Sequence, residues 1–428
     1  MAAVGRPSVL RPGWIVYSLF VLNPVFWALG VGGFIWSLAV IPLGAWFVLR
    51  PGMRRPPALV PYILYVVWAG FSVIQIDRAT RLLAFGFRHT GYLAALGLAY
   101  YVYNERRVTR ERFVDWVAMF WVWAIAGGYL GLLVPQGRLS VTPASLLLPR
   151  SIAENEFVGN LVRPRFAQVQ NIFGVSIPRP STLFAFTNEW GGAVGLLTPF
   201  FIAATLLSPD PRRRRLGVIG LVVSIPPMLL SVNRGLWISV AAILIMVAVR
   251  SFMVGHTAPI KFLAAGIVVI AGLIALTPLG SIVSGRLSAS DANARAGIYQ
   301  EAWEGALASP FLGYGGPRPS INPFSPAVGT HGHIWTAMFS HGLIGLTLYV
   351  GFIGWALYNT TRRRDPMSII LASVVWVAAL QMFFYAMLPV GLPIVLVAIG
   401  LIFRADADRV ADEPADDRAR LLTTGSAT

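Results

Sequence analysis

Along its length the chain alternates between long apolar runs and short polar connections. Runs rich in Leu, Ile, Val, Phe, Trp and Ala cover about 14–30, 31–49, 57–76, 83–103, 113–134 and 190–207, then 216–232, 236–252, 262–283, 335–358, 367–386 and 388–403. Most approach the ~20 residues that a helix needs to cross the ~30 Å hydrocarbon core of a bilayer. The pattern therefore predicts an all-α polytopic membrane protein with about twelve transmembrane helices. They make one transmembrane domain over 1–403, followed by a polar, disordered tail over 404–428. The first run imitates a signal peptide, with Ala28-Leu29-Gly30 as a mock cleavage site. It continues straight into the second run and is read as uncleaved.

Basic residues fall on alternate connections, as expected where positive charge stays on the cytoplasmic side. That set comprises Arg6 and Arg11; Arg50, Arg54 and Arg55; Arg106, Arg107, Arg110 and Arg112; and Arg212, Arg213, Arg214 and Arg215. It continues with Arg250 and Lys261; Arg362, Arg363 and Arg364; and Arg404, Arg409, Arg418 and Arg420. Both termini are thus expected in the cytoplasm. Two connections, about 135–187 and 284–334, are much longer than the rest and fall on the outer side. Structureless connections of such length usually carry function.

Composition changes the picture in one respect. The chain of 428 residues has 34 basic against 18 acidic residues, a formal charge of +16, yet it is 56% hydrophobic and only 12% charged. Soluble domains carry about 25% charged residues, which excludes an ordinary soluble enzyme. The charge alone would fit a nucleic-acid binder. Its distribution in clusters between apolar runs does not: 22 of the 34 basic residues lie on the cytoplasmic set, so the charge is mostly an orientation signal and the expected surroundings are membrane lipids. With no cysteine, the redox state of the compartment is not encoded. Asp406-Ala407-Asp408 matches the DxD pattern of metal-dependent sugar-nucleotide transferases, but in an acidic tail it is read as solvated charge.

Ionisable residues at or inside a span are costly and so informative. Arg81 and Arg88 lie seven residues apart on one face of the fourth span; Asn188 and Glu189 precede the sixth; Asn233-Arg234-Gly235 opens the eighth; His331-Gly332-His333 leads into the tenth, which holds His341. All four spans run from outside to inside, so their N-termini, with unpaired N–H groups and positive dipole ends, face the outer boundary. Joined by Arg, such ends suit an anion such as phosphate. Quieter readings stand beside this one: Arg81 snorkelling to the interface, Asn188 and Asn233 as N-caps, His341 and His89 as hydrogen-bonded core residues. The i,i+2 spacing of His331 and His333 is poor for two metal ligands on a helix, and no metal is expected. A neutral histidine instead accepts a proton from a hydroxyl. The paired Pro226 and Pro227 distort the seventh span just before Arg234. In the second long connection a helix over 295–308 places Tyr299, Trp303 and Leu307 on one stripe, with Glu301 and Glu304 off it, which suits a helix on the membrane surface. Pro310 and Gly313-Tyr314-Gly315-Gly316 end it.

Several of these pieces occur together. Arg295, Tyr299 and Trp303 are followed by Pro310-Phe311-Leu312-Gly313-Tyr314-Gly315, then His331-Gly332-His333-Ile334-Trp335 and Gly342-Leu343-Ile344-Gly345. Upstream stand Arg179-Pro180-Ser181-Thr182-Leu183-Phe184 with Thr187-Asn188, and Ser231-Val232-Asn233-Arg234-Gly235-Leu236-Trp237. In order and spacing this stretch, about 175–350, resembles the O-antigen ligase/polymerase family. The chain departs from the family pattern in Gly332, where Asn is usual, and Thr182, where Gly is common. The resemblance implies a membrane glycosyltransferase that uses no nucleotide sugar, metal or other cofactor. It would move a glycan from an undecaprenyl-diphosphate carrier to an acceptor hydroxyl (glycan, lipid or protein) at the outer face of the bacterial cytoplasmic membrane. His331 is then the base, Arg234 and Arg295 stabilise the departing diphosphate, and Arg81, Arg88, Asn188, Asn233, His333 and Gly315 are the expected substrate-binding residues. A single displacement implies inversion at the anomeric carbon. A repeat-unit polymerase would use the same parts. A multi-span transporter is the alternative from another class, although the internally repeated halves common in transporters are not evident.

Overall fold

The structure, a computed structural model, describes residues 11–412 apart from 51, 57–58, 150–152, 154–155, 173–174, 256, 258–259, 262–263, 265–290 and 324. The ninth apolar run lies almost wholly outside these residues, as do 284–290 and the tail from 413. What is described is mainly helical. Run 14–30 forms α1 (Trp14–Phe20) and α2 (Asn23–Ala28), and run 31–49 forms α3 (Ile35–Leu38) and α4 (Val40–Leu49). Then α5 (Val60–Phe71) passes into a 3₁₀ turn (Ser72–Gln75), followed by α6 (Ala79–Asn104) and α7 (Arg110–Leu133). After the first long connection come α10 (Thr187–Leu206), α11 (Pro211–Leu230) and α12 (Arg234–Met253). The last helices are α13 (Asp291–Ala308), α14 (His333–Thr361), α15 (Pro366–Gln381) and α16 (Gly391–Asp412). Local chemistry starts several of them: Asp210 accepts from Arg212 N at 2.9 Å and Asp365 from Ser368 N at 3.2 Å, each with Pro as the first helical residue.

Among the described residues, four helices are long and apolar enough to cross a membrane: α7, α10, α12 and α14. The stretches Ile35–Leu49, Val60–Gln75, Pro366–Gln381 and Gly391–Ala405 are apolar but shorter. Of the four, α10 is the most enclosed. Trp190 Nε1 donates to Ala124 O of α7 at 2.9 Å, Trp121 Nε1 donates to Thr198 Oγ1 at 3.0 Å, and the Trp121 and Phe201 rings stack at 3.9 Å.

The arginine-bearing connections gather at one end of the bundle. Buried Glu105 pairs with Arg50 at 3.1 Å and Arg107 at 2.8 Å; Arg110 reaches Asp365 at 3.4 Å; Arg213 pairs with Asp115; Arg250 Nη2 donates to Arg363 O at 3.1 Å. Arg404 Nη1 donates to Val102 O and Glu105 O, both at 3.2 Å, and Gly13 N donates to Tyr101 OH at 3.0 Å. Residues 13 and 404, near the two ends of the described chain, therefore share this end.

Two expectations change, and the packing of α13 adds to a third. The first long connection is structured: it holds α8 (Pro143–Leu147), α9 (Glu156–Val162) and an antiparallel hairpin of β1 (Ala167–Ile172) and β2 (Val175–Pro180), so the fold is not purely α. Helix α16 runs on to Asp412 instead of ending at 403, because Arg404 is buried and satisfies carbonyls at the end of α6. In α13 the packed face is Ile298, Ala302 and Ala306, small enough to sit against Phe339 and Val328. Of the expected stripe, Tyr299 stacks on Trp335 at 4.4 Å, whereas Trp303 is 49% and Leu307 54% exposed.

Candidate active site where helix beginnings converge

The turn 381–385, between α15 and α16, collects the starts of three helices. From α14, Ile334 N donates to Met382 O and Trp335 Nε1 to Phe383 O, both at 3.1 Å. From α12, Asn233 Oδ1 accepts from Tyr385 OH and, as N-cap, from Leu236 N at 3.2 Å. From α10, Gly192 O accepts from Gln381 Nε2 at 3.1 Å, and the same amide nitrogen donates to Ser239 Oγ at 3.0 Å. Asn233 Nδ2 completes the set by donating to Thr187 O at 3.3 Å. The starts of α10, α12 and α14 are thus joined through buried polar contacts, which sequence spacing alone does not reveal.

Buried Arg179 fastens the hairpin to this group. Its Nε donates to Ser231 O at 2.9 Å, Nη1 to Gln170 Oε1 at 2.6 Å and Nη2 to Asn188 Oδ1 at 3.4 Å. Asn188 is thereby held as an acceptor for Arg179. Between Ser231 and Asn233, Val232 sits at φ 51°, a left-handed conformation that is costly for a β-branched residue. The turn that presents Arg234 at the start of α12 is therefore strained and pinned on both sides.

His331 lies on a braced loop, half-buried. Arg318 and Val328 exchange backbone bonds at 3.3 and 2.8 Å, and Thr336 Oγ1 lies 2.7 Å from Gly329 O and 3.1 Å from Gly332 O. Thr330 Oγ1 contacts His331 Nδ1 at 2.9 Å and donates to Ala327 O at 2.6 Å. Gly332 has φ 91°, and a Cβ there would stand 2.5 Å from Phe383 O. Gly332 thus occupies a position where only glycine fits. Gly235, beside Arg234, likewise abuts the Phe384 and Tyr385 rings. His331 and Arg234 therefore each neighbour a glycine packed on the same 383–385 turn.

His333 does not stand beside His331. It is 1% exposed, its ring 4.5 Å from that of Tyr349 and 5.9 Å from that of Tyr92, and its Nε2 has no hydrogen-bond partner among the described residues. His333, expected to bind substrate, thus occupies a core position: the first turn of α14 turns this side chain inward while the loop leaves His331 half-buried.

Helix α14 is broken at Gly342 (φ 71°, ψ −175°). The 310–316 turn docks into the break: Tyr314 N donates to Phe339 O at 3.0 Å, Gly315 N to Ser340 O at 2.8 Å, and Leu343 N to Pro310 O at 2.7 Å. Trp68 Nε1 donates to His341 O at 3.0 Å, and His341 Nδ1 lies 3.0 Å from Ser72 Oγ. Gly315 (φ 68°) is needed for close approach, as a Cβ would meet Ile76 and Ser72 O. It lines a small cavity, about 10 Å³ and so room for about one water, with Arg88, His89, Tyr92, Ser340 and His341.

The two arginines of α6 differ. Arg81 Nη1 is held by Asp77 at 2.7 and 2.8 Å, and Asp77 also pairs with Arg318 at 3.5 Å. Desolvation opposes ionisation of Asp77, but the bonds from Arg81 and its own backbone and the charge of Arg318 hold its carboxyl below the usual carboxylate range. Arg88 faces the cavity beside Gly316 with no hydrogen bond or ion pair among the described residues. The backbone of Arg295 lies in α13, and its side chain lies outside the described residues. Among the described residues no three His, Asp, Glu or Cys side chains form a metal-binding group.

Sequence reasoning missed Arg179 as an organiser, Thr330, and the 381–385 turn. Arg179 stood within a quoted motif, and Thr330 directly precedes the proposed base. Tyr385 carried no local signal, since its partner Asn233 is 152 residues away. No family model matches the chain, and no curated protein matches it. The resemblance to O-antigen ligases rests on the short motifs.

Proposed function

We propose that the chain is a membrane glycosyltransferase that moves a glycan from an undecaprenyl-diphosphate carrier to an acceptor hydroxyl at the outer face of the bacterial cytoplasmic membrane. The observation that carries this reading is the meeting of three helix beginnings on the 381–385 turn, with Arg234 at one of them and His331 at the approach to another. Helix N-termini and arginine favour an anion. A half-buried histidine beside them supplies a base, and the arginine clusters at the opposite bundle end agree with a cytoplasmic location there.

In the reaction, His331 takes the proton of the acceptor hydroxyl as its oxygen bonds to the anomeric carbon. The bond from that carbon to the diphosphate oxygen breaks, and its electron pair leaves with the diphosphate. Arg234, with Arg295, stabilises that charge. Attack from the face opposite the leaving group inverts the anomeric carbon.

Purified protein supplied with lipid-linked glycan and acceptor tests the proposal. His331→Ala should abolish transfer in a folded protein, and Arg234→Ala should weaken donor binding more than acceptor binding. Full turnover by His331→Ala would remove the base assignment. In a deletion strain, accumulation of long lipid-linked chains indicates a ligase and of single repeats a polymerase; an unchanged lipid pool would favour transport.

A further inference from the structure

We infer that Thr330 is a positioning residue that fixes the tautomer of His331, with the proton on Nδ1 and the lone pair on Nε2; the inference rests on His331 being the base. The Thr330 hydroxyl has a single hydrogen. Its oxygen lies 2.6 Å from the carbonyl oxygen of Ala327, which can only accept, so the hydrogen must point there. Two oxygens so close with no hydrogen between them would repel. The same Oγ1 stands 2.9 Å from His331 Nδ1 and has only lone pairs left to offer the ring. Nδ1 must therefore be the N–H, and in a neutral imidazole Nε2 then carries the basic lone pair.

Free imidazole side chains favour the opposite tautomer, so the protein has to impose this one. Serine hydrolases use a buried carboxylate for the purpose. Here a hydroxyl backed by a carbonyl does it, on a loop that the Arg318–Val328 bridge and Thr336 keep from moving. In the transfer step the acceptor proton passes to Nε2. The imidazolium that results keeps its Nδ1–H bond to Thr330, whose hydroxyl, polarised by its own bond to the Ala327 carbonyl, stabilises the positive charge without moving a proton.

The test uses full-length protein labelled with nitrogen-15 in its five histidines, held in lipid nanodiscs, with His331→Gln identifying the His331 signals by difference. The wild type should show an unprotonated Nε2 and a protonated Nδ1 for His331. Thr330→Val should move the signals toward the Nε2–H form and cut turnover by roughly 10- to 100-fold, less than the ~10²–10⁴-fold contribution of a base itself. KM for both substrates should hold. Thr330→Ser should restore both the spectrum and the rate. A wild-type spectrum in Thr330→Val overturns the inference. A shifted spectrum with unchanged turnover overturns the positioning role; if His331→Gln is then also active, the fault lies in the base assignment and not in the hydrogen-bond pattern.

Discussion

Truncating Asn233 to alanine removes three interactions at once. The N-cap bond to Leu236 N goes, worth about 1 kcal/mol. The bond to Thr187 O goes, worth about 1 kcal/mol. The bond from the Tyr385 hydroxyl to Asn233 Oδ1 goes as well, at a buried site where it is worth about 1–3 kcal/mol. The sum is about 3–5 kcal/mol. Tyr385→Phe is milder, about 0.5–1.5 kcal/mol, because Asn233 Oδ1 still accepts from Leu236 N. In the double variant the bond shared by the two side chains is lost only once. This variant should therefore be more stable than the sum of the single losses predicts, by a coupling of about 1–3 kcal/mol. The assay is reversible unfolding of the purified chain in mixed micelles, followed by helix content as denaturing detergent is added. Additivity within about 0.5 kcal/mol would refute the shared buried bond and, with it, the junction between the start of α12 and the 381–385 turn.

Three further outcomes follow from the same geometry. Gly332→Asn introduces the asparagine of the motif that this stretch resembles, yet it should lower stability by about 2 kcal/mol or more, since φ 91° and Phe383 O leave no place for a Cβ; a variant as stable as the wild type would contradict the packing. Gly342→Ala should expel the 310–316 turn from the α14 break, seen as faster amide exchange at Tyr314 and Gly315, and unchanged protection would count against the docking. Asp77→Asn releases Arg81 and Arg318. Because the Asp77 carboxyl is held low in the folded state, its contribution is complete above the unfolded value of about 4 and is lost as pH falls through the lower folded value. The melting-temperature gap between wild type and variant should therefore be flat above about pH 5 and close only in acid; a gap that widens from pH 6 to 8 would exclude this account.

How much of this was legible in advance depended on whether the cause was local. Most helix positions followed from apolar run length, although runs 14–30 and 31–49 each break into two short helices, and the clustering of Arg50, Arg110, Arg250 and Arg404 at one end agrees with their spacing on alternate connections. The N-cap role of Asn233 was visible because it depends on residues within one turn. The hairpin was not, because β1 offers only short alternation and its Gln168 and Gln170 side chains find their partners outside the strand, on Thr187 N and on Arg179 of β2. On α13 Trp303 and Leu307 stay exposed, which is compatible with a stripe turned to a membrane surface, and the protein-packed face carried no large residues to mark it. The packed face instead uses Ala302 and Ala306, whose small size lets Phe339 approach. His333 was grouped with His331 by spacing, but the chain turns into helix between them.

The break in α14 also bears on the order in which the chain is assembled. In the membrane setting proposed above, the carbonyls of Phe339, Ser340 and His341 would be left without intrahelical donors in a medium that has no water to replace them. Their donors are Tyr314, Gly315 and Trp68, and the N–H of Leu343 is accepted by Pro310. All four of these groups lie earlier in the sequence than the break. By the time the ribosome delivers Gly342, every partner that its kink requires has already been synthesised. The break can therefore close against a finished template, whereas the start of the same helix must wait for Met382 and Phe383.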